Sequence, residues 1–157
     1  MKSSVYIETT IPSYLTAWRS PDLVMAANQE ATRSWWDSAR VHFDLFISEV
    51  VLDEASGGNT EAAERRLAVL LSIPKLDVSK VAEQLAEKLL LNAALPAKAQ
   101  VDALHIAIAA VHGVEYLLTW NCKHIANATM RPKIEHICRT EGYEPSIICT
   151  PPELIKE

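Results

Sequence analysis

Three acids and one amide have the residue types and the placement to do chemistry: Glu8, Glu54, Asp102 and Asn121. Glu8 follows the apolar run Val5-Tyr6-Ile7. Glu54 lies a short way beyond the run from Phe43 to Ile47, about one helical turn into the next element. Asp102 opens the stretch VDALHIAIAAVHGVEYLLTWNCKHIAN, and Asn121 follows the second apolar run within it. Singly, each has an ordinary explanation. An acid in a first helical turn is favoured by the helix dipole, and an Asn after a strand is most often a turn residue. Together they imply something else. Carboxylates gathered at one place repel unless a cation neutralises them. Oxygen-only ligands suit a hard cation, Mg²⁺ or Mn²⁺, which keeps several waters and also holds phosphate oxygens.

The elements must bring these residues together. The helix from Val101 is apolar nearly all round, the pattern of a buried helix. Gly113 stops it, and Val114 to Leu118 reads as a short buried strand. Further strands are expected at Ser4–Ile7, Phe43–Ile47, Lys75–Val78 and Pro145–Cys149. Pro12 is expected to break any continuation of the first strand. A helix is expected from a Ser20 cap and Pro21 to about Ala39, carrying Trp35 and Trp36. Shorter helices follow at Val50–Ala55 and Thr60–Leu71, then from Ser79 to about Leu91 and from Pro132 to Glu141. Cys122 to Asn127 makes one helical turn. Strands alternating with helices imply an α/β fold, a parallel sheet of about five strands with helices on both faces. With strands one, two and four at its centre, all four residues would meet at the C-terminal edge, where ligands gather in open α/β sheets.

The totals narrow the class. The 157 residues are read as one domain, large enough for a full core. No run of 18 apolar residues is present, so no membrane span is expected, and Met1-Lys2 leads into VYI without a signal segment of usual length. Cys122, Cys138 and Cys149 are odd in number and lack C-x-x-C spacing, which favours free thiols in a reducing cytoplasm. A formal net charge of -5 is wrong for a general polyanion binder. Nucleic acid would have to be met through a local basic patch or a bound cation.

The segments VYIETTIPS, FISEVVLDE, VDALHIAIAA and LLTWNCKHIAN resemble, in order and spacing, the motifs of PIN domains. The resemblance covers nearly the whole chain and is greatest to the VapC-like toxins of toxin–antitoxin pairs. It implies a metal-dependent endoribonuclease that uses Mg²⁺ or Mn²⁺. The family's acids match Glu8, Glu54 and Asp102, and its fourth, in a T-x-D pattern, matches Asn121 of Thr119-Trp120-Asn121. Thr9 and Thr119 match the hydroxyl residues that accompany them. Two positions depart. Glu8 is one methylene longer than the usual Asp, and Asn121 carries no charge, leaving three formal negative charges where many relatives have four.

On this resemblance Asp102 and Glu8 are the expected ligands. Glu54 ligates directly or acts through a water as base. Asn121 orients a metal-bound water, and Lys123 and His124 are the nearest basic groups for a substrate phosphate. The implied partners are RNA and an antitoxin covering the acidic edge or the adjacent groove. The apolar and aromatic residues from Trp18 to Trp36 and from Val50 to Leu71 further suggest a symmetric homodimer. The alternatives are a nuclease for another nucleic acid, and a degenerate PIN domain that binds RNA or protein. Other chemistry is not indicated. The histidines and cysteines never fall at zinc spacing, there is no G-x-G-x-x-G or G-x-x-x-x-G-K, and Ser48 lacks a nucleophile elbow. Trp35 and Trp36 read as one core and one interface residue.

Overall fold

The computed structural model describes residues 1–92 and 94–156. Its sheet has five strands, all parallel: β1 (Ser3–Ile7), β2 (Phe43–Ser48), β3 (Lys75–Leu76), β4 (Tyr116–Leu118) and β5 (Ile147–Cys149), in the spatial order β3-β2-β1-β4-β5. β1 is central, with Val5 to Ile7 fully buried. Such short apolar runs suit strands covered on both faces. Val5 pairs with Leu45 on one side and Tyr116 on the other.

Among the described residues, seven α-helices join the strands: α1 (Thr10–Thr16), α2 (Leu23–Ser34), α3 (Glu49–Ala55), α4 (Thr60–Leu70), α5 (Lys80–Leu91), α6 (Gln100–Val111) and α7 (Arg131–Thr140). From β1 to β3 the chain steps one way across the sheet; from β3 through β4 to β5 it steps back. Parallel crossovers are right-handed, so this reversal sends the two groups of helices to opposite faces. α1 accordingly packs with α2 and α4, and α5 with α6 and α7. The reversal lies beside β1, which places the switch point, and the crevice that forms there, at the end of that strand. No helix among the described residues is long and apolar enough to cross a membrane.

Several expected boundaries change. Pro12 does not end regular structure; it lies in the first turn of α1. The first backbone N–H groups of a helix have no intrahelical partner, so proline is tolerated there. The cap of α2 is Asp22, whose carboxylate accepts from Met25 N, while the Ser20 hydroxyl accepts from Asp22 N. α2 then widens into a π turn over Trp35–Ala39, followed by a 3₁₀ turn, Arg40–His42. The π turn buries both tryptophans, so neither is the expected interface residue. Trp35 donates its indole N–H to the Leu154 carbonyl at 2.8 Å, and Arg40 lies over the Trp36 ring at 4.8 Å. Gly113 ends α6 at φ +67°, as its position suggests.

Candidate metal centre

The C-terminal edge of the sheet collects the site. β1 delivers Glu8 and Thr9 at its exit, β4 delivers Thr119, and β2 delivers Ser48, from which α3 carries Glu54 nearly two turns further. α6 begins at the same edge with Asp102 in its first turn. Four acids and amides distant in sequence are thus brought into two adjoining groups.

The first group is built on Glu8 and Glu54. Glu8 is buried, and its Oε1 accepts three hydrogen bonds: from Thr119 Oγ1 at 2.7 Å, from Thr10 Oγ1 at 2.5 Å and from Thr10 N at 3.1 Å. Each threonine hydroxyl in turn accepts a backbone N–H, Thr119 from Asn121 at 2.9 Å and Thr10 from Trp120 at 2.8 Å. That leaves each hydroxyl proton free to point at the carboxylate. The extra methylene of Glu8 therefore finds a place: it carries Oε1 into a nest of donors. Among the described residues, no donor reaches Oε2 of Glu8, and that atom is not a buried orphan.

Glu54 is held in the same way. Its Oε1 accepts from Thr9 Oγ1 at 2.6 Å and from His105 Nε2 at 2.5 Å, and no donor among the described residues reaches Oε2. Burial raises the Glu54 pKa, but the His105 hydrogen bond, the imidazole's attraction for negative charge and the Thr9 hydroxyl outweigh it. The net pKa falls below the ordinary 4.5. Near the end of α3 the helix dipole opposes a carboxylate, so these partners are needed there. Glu8, Glu54 and His105 each offer a ligand atom, all within 4.8 Å of one another.

The second group is Asp102, Asn121 and His124. Asp102 Oδ1 accepts from Asn121 Nδ2 at 3.0 Å, and Oδ2 from His124 Nδ1 at 2.9 Å. Asn121 Oδ1 accepts the His124 backbone N–H at 3.0 Å, which starts the helical turn expected after β4. Asp102 stands outside the close group of Glu8, Glu54 and His105, although α6 places it three residues before His105 on the same helix face. Thr9 and Thr119 sit behind the carboxylates. Thr119 is fully buried, so its hydroxyl meets Glu8 and not a ligand in solvent. Lys123 is exposed, and His124 is mostly covered.

Two residues important to this geometry do not stand out in the sequence. His105 is fully buried, and its Nδ1 bonds to the Tyr6 hydroxyl at 2.7 Å, which also meets Ser48 Oγ at 2.7 Å. The available signal was a lone polar residue on an apolar helix, three residues after Asp102.

The sequence matches no known family model, and no curated protein matches it. Among solved structures the chain is similar to one in the crystal structure of VapBC2 from Rickettsia felis bound to a DNA fragment from their promoter. The TM-score is 0.56 at 14% identity, over 94% of this chain and 98% of that one. The fold is PIN-like. At that identity the likeness speaks for the arrangement of strands and helices, and the chemistry has to be argued from the side chains.

Proposed function

We propose that this chain is a Mg²⁺- or Mn²⁺-dependent endoribonuclease that serves as the toxin of a toxin–antitoxin pair. The observation that carries the reading is the matched state of Glu8 and Glu54. Each has one oxygen fixed by protein donors and the other without a donor among the described residues, at the ligand-bearing edge of a PIN-like sheet. Two such oxygens fit a hard divalent cation that keeps most of its waters. When bound, the cation would supply Lewis acidity toward a phosphodiester and toward water. Glu8 and Glu54 bind it. Asp102 orients His124 by taking its Nδ1–H, so the other imidazole nitrogen can give or take a proton at the substrate. Asn121 holds Asp102 in that role and joins the site by its amide. Lys123 and His124 meet the substrate phosphate, while Thr9 and Thr119 keep the two glutamates in place.

RNA is favoured over a protein substrate because an acidic chain offers Trp18, 75% exposed, with the Arg65 guanidinium 4.8 Å from its ring. An aromatic ring backed by Arg suits a nucleobase. The exposed Leu23, Val24 and Leu71 are surface that a second copy or an antitoxin would cover. A cytoplasmic location and a single domain belong to the same reading. The solved complex is that of a VapBC pair, and an antitoxin is proposed here by that likeness.

One observation favours a second reading. Both oxygens of Asp102 are engaged by Asn121 and His124, which suits a disabled site that binds RNA or protein without cutting. A single assay separates the two. Labelled single-stranded RNA and DNA are incubated with the protein and Mn²⁺, Mg²⁺ or EDTA, beside Glu8→Gln and Glu54→Gln. RNA cleavage that requires the metal and both glutamates is expected. DNA cleavage instead changes the substrate class. No cleavage of either, with the folded protein binding RNA, establishes the second reading.

A further inference from the structure

Tyr6 and His105 contact no substrate in the reading above, yet they form the most deeply buried polar chain in the described molecule. Ser48, Tyr6 and His105 are all fully buried, and they run in line to Glu54. The directions follow from the acceptor at the end. A carboxylate only accepts, so His105 Nε2 carries the hydrogen. With the ring neutral, Nδ1 accepts, the Tyr6 O–H donates to it, and Ser48 donates to Tyr6. Ser48 stands at the cap position of α3, where a serine ordinarily accepts from the helix N–H groups. Its side chain makes no cap bond. Thr9, at the cap of α1, likewise makes none and donates to Glu54 instead. Two cap hydroxyls are thus diverted from their local use to the same assembly.

We infer that Tyr6 and His105 are positioning residues for the cation, holding Glu54 by Oε1 so that Oε2 is the oxygen that coordinates, while His105 stays outside the coordination shell. The inference rests on the metal-site reading above and says what holds Glu54 as a direct ligand within it. Coordination by His105 would need a lone pair at Nε2. The ring would have to lose its bond to Glu54 and reverse its bond to Tyr6, undoing the chain that fixes the glutamate. Residues that orient ligands in this way typically change metal affinity roughly 10- to 100-fold when replaced.

The test is Mn²⁺ binding by calorimetry on the full chain, with pulsed electron paramagnetic resonance on the bound ion. Tyr6→Phe removes one hydroxyl and keeps the ring. His105→Leu removes the donor to Glu54, and His105→Gln keeps an N–H donor. Weakening of about 10-fold is expected in Tyr6→Phe, and of roughly 10- to 100-fold in His105→Leu, with partial recovery in His105→Gln. The wild-type ion should show no directly bonded nitrogen. A merely structural role would move melting temperature without ordering the affinities by donor. If His105→Leu does not fold, Tyr6→Phe and the nitrogen spectrum decide. A nitrogen coupling in wild type makes His105 a ligand and overturns the inference. Wild-type affinity in all three variants, with loss in Glu54→Gln, overturns it and leaves the metal site standing. No Mn²⁺ binding by wild type overturns the metal-site reading and this inference with it.

Discussion

Asn121 grips Asp102 by its amide nitrogen, at 3.0 Å, while its oxygen accepts the His124 backbone N–H at the same distance. Replacing Asn121 by Asp removes the donor and sets a like charge against Asp102. The metal-free Asn121→Asp variant is expected to lose about 1.5–3 kcal/mol, the usual worth of a hydrogen bond to a charged group. Mn²⁺ should restore more stability to it than to wild type, because binding to the folded state alone stabilises in proportion to affinity. Thermal denaturation with and without Mn²⁺ checks this. A variant that gains no more stability from Mn²⁺ than wild type does would place Asn121 away from the ion.

Glu8 depends on its length. Glu8→Asp draws the carboxylate back from Thr10 and Thr119, and Thr119→Val deletes a buried donor without changing shape. Thr119→Val should cost about 1–3 kcal/mol, since it leaves the Asn121 N–H without its acceptor. Both variants should bind Mn²⁺ more weakly than wild type by calorimetry. Tighter binding by Glu8→Asp would mean that the threonine nest does not set the ligand.

Glu54 predicts a dependence on acidity. Its folded pKa lies below the ordinary carboxylate value, so it contributes stability above about pH 4.5 that is lost as pH falls through its folded pKa. Wild type should therefore lose stability faster than Glu54→Gln as pH drops below that range. Parallel denaturation curves for the two proteins from pH 7 to pH 3 would contradict the assignment.

The thiols should divide one to two. Burial pushes the Cys138 thiol up to about 11 and the Cys149 thiol up to about 12, whereas Cys122 is exposed. An aromatic disulfide reagent at pH 8 should modify one thiol quickly in the native protein and the other two only on unfolding. Fast reaction of all three would show that α7 and β5 open readily.

The sheet was readable because its strands are short apolar runs closed by polar or breaking residues, as in Val5-Tyr6-Ile7 before Glu8. Placing strands one, two and four at the centre agrees with the observed order, which puts β2, β1 and β4 side by side; the positions of β3 and β5 are not legible. Neither is α1, because Pro12 is a breaker in mid-helix and harmless in a first turn, and sequence alone does not say which turn it occupies. Asn121 was placed near Asp102, but the type of a side chain does not tell which of its atoms faces a neighbour. The amide turned its donor to the acid. His105 is not legible in the sequence because a single histidine in an apolar helix ordinarily belongs to the core. Its function depends on Tyr6, 99 residues earlier in the chain, and local periodicity carries no trace of that pairing.

The central place of β1 has a consequence for how the protein is made. Glu8 leaves the ribosome well before Thr119, its donor, which emerges 111 residues later. β1 gains its second neighbour only when β4 arrives, through pairs such as Val5 with Tyr116. Pairings this remote in sequence are slow to close, and synthesis runs from the N-terminus. A chain broken off before Thr119 therefore carries the acids without the arrangement, and the site comes into being only once β4 has been made.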